Sequence, residues 1–126
     1  MNTASITYNS TYGNGYPPSL LAVGTTTGPA VSCTNANLIG SVITGGTKSG
    51  YNFAFHHGVT ILTRASSSCS GGYGYADGYT VTAIPITTGT TGQRGFCSDE
   101  TGVIRLNSAG SPQQTSPNCT DTTILQ

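Results

Sequence analysis

The chain has 126 residues, with four Lys/Arg balanced by four Asp/Glu and a formal net charge of zero. That length suits one domain around a single core, and four scattered cations give no electrostatic footprint for nucleic acid. Leu, Ile, Val and Phe fill only 23 positions against 62 for Thr, Ser, Gly and Asn, yet the high net charge of disordered chains is missing.

In chain order, residues 2–12 place Ala4, Tyr8 and Tyr12 on one face of a helix. The segment YGNGYPP at 12–18 breaks it. Residues 19–23 predict one helical turn ended by Gly24, and 25–31 read as loop. A second helix is predicted over 35–43, where Leu38, Ile39, Val42 and Ile43 form one apolar stripe. Thr34 or Asn35 can cap its start and Gly45-Gly46 can stop it. Tyr51, Phe53 and Phe55 alternate with polar or small residues, the period of a half-buried strand, with 59–62 as a possible hairpin partner. Residues 66–77 (SSSCSGGYGYAD) read as a glycine-rich loop. The β-branched run 79–86 predicts a strand that ends, or lies at an edge, at Pro85, which lacks an amide donor. Residues 95–99 and 103–106 continue an antiparallel meander across a turn at 100–102. After Leu106 little regular pattern is expected. Helix, loop, short helix, then four or five strands define an α+β domain.

No run approaches the roughly 18 apolar residues that span a bilayer, and Asn2–Ser5 lacks the start of a signal peptide. The expectation is therefore a cytosolic chain, or one whose upstream segment has been removed. Cys33, Cys69, Cys97 and Cys119 contain no C-x-x-C pair, which argues against structural zinc. Even count and wide spacing favour two disulfides in an oxidising compartment, each worth about 3–4 kcal/mol by loop entropy. Three pairings are open. Cys33–Cys69 with Cys97–Cys119 is preferred, because the tail can run back beside Cys97.

The stretches 2–23 (NTASITYNSTYGNGYPPSLLAV), 38–51 (LIGSVITGGTKSGY) and 79–106, with its GTTGQRGFCSDETGVIR core, resemble the globular domain of bacterial type IV pilins and type II secretion pseudopilins. The resemblance implies a disulfide-stabilised, pilin-like α+β fold, with a truncated N-terminal helix on a small antiparallel sheet of four or so strands. It divides one domain, 1–126, into helix end (2–12), linking segment (13–50), sheet (51–106) and tail (107–126). It implies a non-catalytic subunit of an extracellular filament on the bacterial surface, without cofactor, passing through the inner membrane and pilus assembly machinery. Its partners are copies of itself when the full helix is present; the form here is expected to be soluble and monomeric. The cleaved leader and apolar helix of that family are absent, and 56–78 and 108–126 match nothing in it.

The candidate sites are sparse. His56 and His57 are adjacent on a strand, so their side chains part to opposite faces and do not share a metal. Asp99 and Glu100 are likewise neighbours, not carboxylates facing each other across a cleft; with Asp77 and Asp121 they exhaust the acids. A calcium site at Asp99 and Glu100 needs more oxygen ligands than the sequence displays. No serine sits in a Gly-x-Ser-x-Gly context, so no catalytic residue is expected. Tyr73, Tyr75 and Tyr79 on their glycine-rich segment could stack on sugars or meet a neighbouring subunit, the basis of an alternative reading as a secreted carbohydrate-binding module. Tyr8, Tyr12 and Tyr16 are candidate subunit contacts. Asn9 and Asn118 open N-x-[ST] sequons, frequent by chance in so Thr-rich a chain.

Overall fold

A computed structural model describes residues 1–13, 15–25, 31–62, 74–75, 77–112, 114–115 and 117–125. Helix α1 (Asn2–Tyr12) buries Ala4, Ser5, Tyr8 and Tyr12 and ends at Gly13, whose left-handed backbone (φ 65°) lets its N–H bond the Asn9 carbonyl. Helix α2 (Leu20–Val23) is capped by the Ser19 hydroxyl, which accepts from the Ala22 N–H. Helix α3 (Ser41–Thr44) starts at Gly40.

The main sheet is wholly antiparallel, in the order β1 (Thr47–Lys48), β2 (Tyr51–His57), β5 (Tyr79–Pro85), β6 (Gly95–Asp99), β7 (Ile104–Asn107), β10 (Thr123–Ile124). Two small ribbons flank it: β3 (Ile61–Leu62) with β4 (Gly74–Tyr75), and β8 (Gln114–Thr115) with β9 (Asn118–Cys119). β1 and β2 are joined by Ser49-Gly50, both at positive φ, the two-residue turn whose twist matches a hairpin.

This β-rich architecture corrects the expected one. A pilin-like helix on a small sheet of four or so strands is replaced, among the described residues, by a sheet of six paired strands with three short helices. The extra strands are two residues long, too short to show a period, and three of them (β8, β9, β10) lie in the tail where no pattern was expected. The predicted helix over 35–43 shrinks to Ser41–Thr44 for a backbone reason. The N–H groups of Ala36, Asn37, Leu38 and Ile39 bond carbonyls of Ala22, Val23 and Gly24, so this segment runs beside α2 instead of coiling on itself. Leu38 and Ile39 still reach the core from there, against Tyr8, Tyr12, Ala22, Val23, Cys33 and Ala36. The partner expected for β2 among 59–62 pairs with β4, and β2 pairs with β5 instead. Asp77 helps set that course: its carboxylate accepts the N–H groups of Val59 (2.8 Å) and Thr60 (3.0 Å). Those bonds hold its pKa below the usual carboxylate value.

β5 ends at Pro85, as its missing donor requires, but lies in the middle of the sheet. β6 begins at Gly95, where a Cβ would stand 2.4 Å from Pro112 Cδ and 2.6 Å from the Gly110 carbonyl oxygen. Gly95→Ala should therefore cost about 1–3 kcal/mol by overpacking, read as a lower urea midpoint at unchanged slope.

Candidate functional site

The register divides the sheet into two unlike faces. On one, Phe53, Ala83 and Phe96 lie opposite one another across β2, β5 and β6, and the next row carries Phe55, Val81, Ser98 and Ile104. Period-2 alternation alone puts these apolar side chains on one side. Helix α1 covers only part of it. The Asn2 amide donates to Ser98 Oγ (2.6 Å), which donates to the Val103 carbonyl (3.0 Å). Beside that contact lies an open groove of about 490 Å³, lined by Phe53, Val81, Ala83, Phe96 and Ile104 from the sheet and by Met1 and Ile6 from the helix side. No lining side chain is charged, and Ile6 is 49% exposed at its margin. Leu125 is tied to Ile104 by its N–H (2.8 Å) and prolongs the apolar surface past the sheet edge. Sequence alternation marked Phe53 and Phe55; nothing local to Met1 or Ile6 ties them to this groove.

The second face is polar and covered. His56, Thr80 and Asp99 form one row, and Ala54, Thr82, Cys97 and Arg105 the next. Thr80 and Thr82 are fully buried beneath the C-terminal segment. The two histidines part, as neighbours on a strand must. His56 is half-buried with Nε2 2.9 Å from the Gln114 amide nitrogen, while His57 is exposed with Nδ1 2.7 Å from the Gly58 oxygen. Burial lowers the His56 pKa, and His57 lowers it further.

Asp99 is 4% exposed and fully engaged, accepting from the Cys119 N–H (3.1 Å), the Thr101 N–H (3.1 Å) and the Thr101 hydroxyl. Glu100 lies against Gly78, and its Oε2 is buried without a hydrogen-bond partner among the described residues. Asp121 accepts from the Asn107 amide (2.9 Å). Among the described residues no three His, Cys, Asp or Glu side chains gather to hold a metal ion.

Of the six tyrosines singled out above, Tyr8 and Tyr79 are fully buried, Tyr12 is 8% exposed and Tyr16 is half-buried. Tyr8 donates to the Cys33 carbonyl (2.8 Å) and packs on Tyr12. Tyr79 stacks on Phe55 at 5.4 Å and meets Tyr16 at 5.1 Å. Tyr8, Tyr12 and Tyr79 are thus core rings, while Tyr16 keeps part of its surface exposed. Tyr75 belongs to β4, and Tyr73 lies outside the described residues. Cys97 and Cys119 are bonded, Cα to Cα 5.9 Å. Cys33 is also disulfide-bonded, and Cys69, its expected partner, lies outside the described residues. Asn118 is exposed on β9, and Asn9 is half-buried in α1.

Among the described residues no helix is long and apolar enough to cross a membrane. Comparison with protein-family models, with curated proteins and with solved structures finds no match to this chain.

Proposed function

We propose that this chain is a non-catalytic structural subunit of an extracellular filament of the type IV pilus kind, with the pseudopilus of type II secretion as the alternative within the same class. The observation that supports this reading is the uncharged groove beside α1. It leaves apolar sheet side chains and Ile6 open to solvent, where a neighbouring copy can bury them. The disulfides agree with an oxidising compartment outside the cytosol. The resemblance of 2–23, 38–51 and 79–106 supplies the family. The reading does not depend on the helix-on-small-sheet architecture, which the six-stranded sheet replaces.

Immunogold electron microscopy with antibodies against this chain tests the proposal. Gold is expected along filaments sheared from the producing cells, and the chain should be a main band of that fraction. Unlabelled filaments, with the chain only in the soluble secreted fraction, overturn it.

A further inference from the structure

The C-terminal segment lies on the polar face of the sheet, where β8 and β9 pair as a small hairpin with Gln114 opposite Cys119, and its side-chain and backbone contacts reach four strands of the main sheet. Gln114 bonds His56 of β2, and the Pro117 carbonyl accepts from the Thr80 hydroxyl of β5. Cys119 is joined to Cys97 of β6 and donates its N–H to Asp99. The Asp121 carbonyl accepts from Arg105 Nη1 of β7 (3.2 Å). The segment is a strap with its one covalent anchor over β6. We propose that it is an acid-sensitive fastening, whose leading end over β2 loosens when His56 takes up a proton.

The argument lies in the contacts of that end. The Gln114 amide nitrogen is a donor, so Nε2 of His56 must be the acceptor. The other contact of Nε2, the Thr82 hydroxyl, is at 3.5 Å. Gln114 Oε1 is buried without a partner among the described residues, so little else holds the side chain. Protonation sets an N–H of the ring against an N–H of the amide. The bond survives only if the amide turns over, with a cation then half-buried.

The charged and titratable groups around it do not compensate that charge. His57, on the same strand, repels it. Asp99 shares the row but stands two strands away, behind Thr80, with its carboxylate already engaged. Arg105 and Asp121 lie at the β7 end of the strap. β5 and residues 111–119 contain no Asp, Glu, Lys or Arg. Because burial depresses the His56 pKa, the fastening is intact above the free-histidine value of about 6.5 and weakens as pH falls through the folded one.

Hydrogen exchange read by mass spectrometry on the oxidised chain tests this, comparing peptides over 111–119 at pH 7.5 and 5.5 after correction for intrinsic exchange. Protection should fall by about threefold or more at the lower pH. His56→Gln should abolish the response and His57→Gln should keep it. Gln114→Ala, which leaves the sheet untouched, should show low protection already at pH 7.5 and no further loss in acid. Unchanged protection in the parent chain, or a full acid response in Gln114→Ala, overturns the proposal.

Discussion

Tyr79→Ala should bring the chain close to unfolding. The ring is fully buried, stacked on Phe55 and packed on Tyr16, and its hydroxyl donates to Asn2 Oδ1 at 3.2 Å. Removing a buried aromatic side chain costs about 3–5 kcal/mol, against a total of about 5–15 kcal/mol for a natural domain. Few other large side chains here are so completely enclosed, so little remains to absorb the loss. The expected result is a urea transition shifted strongly towards zero denaturant, or none. Tyr79→Phe separates the ring from its hydroxyl and should cost only about 0.5–1.5 kcal/mol. A Tyr79→Ala chain as stable as the parent would remove Tyr79 from the core.

The same residue carries an alkaline signature. Burial, with smaller contributions from Tyr16, Glu100 and Asp99, pushes its pKa up to about 12. A raised pKa means the folded state resists ionisation. This contribution to stability is therefore whole below the ordinary value near 10 and is lost as pH rises towards 12. Denaturant midpoints across that window should fall less steeply in Tyr79→Phe than in the parent chain.

The second large effect is expected from Cys97→Ser combined with Cys119→Ser. The bridge closes a separation of 22 residues, for which loop entropy gives about 3 kcal/mol. That corresponds to a fall in melting temperature of roughly 10 °C for a domain of this size. Losing it frees the middle of the strap, so Thr80 and Thr82 become accessible to water while the apolar groove on the other face does not change. Hydrogen exchange should therefore rise in 111–119 and in β5 before it rises in α1. An unchanged melting temperature would mean that the contacts of Pro117, Cys119 N–H and Asp121 hold the strap alone.

Much of the local structure was legible from residue order. The face formed by Ala4, Tyr8 and Tyr12 marks α1, and Gly13 stops it where a left-handed residue is needed. Ser19 caps α2. The alternation at Tyr51–Phe55 and the β-branched run ending at Pro85 mark the two longest strands, and residues 100–102 mark the turn after β6. Each signal comes from a side chain or a dihedral preference acting within a few residues. The candidate site was less legible. Phe53 has a visible inward direction, but its meeting with Phe96 and Ile104 depends on strand order.

By itself, then, the sequence determined the long elements, the low charge and which side of each long strand is apolar. Those properties follow from composition and from periods of 3.6 and 2. The tertiary structure alone decided that residues 35–39 extend along α2, because backbone groups of Ala22, Val23 and Gly24 offered better-placed partners than a new helix turn. It also decided the six-strand order and the contacts of the strap with four strands. The contacts of the strap join residues 16 to 58 positions apart, and β2 finds β5 across 22 to 34 positions, distances over which no local pattern carries information.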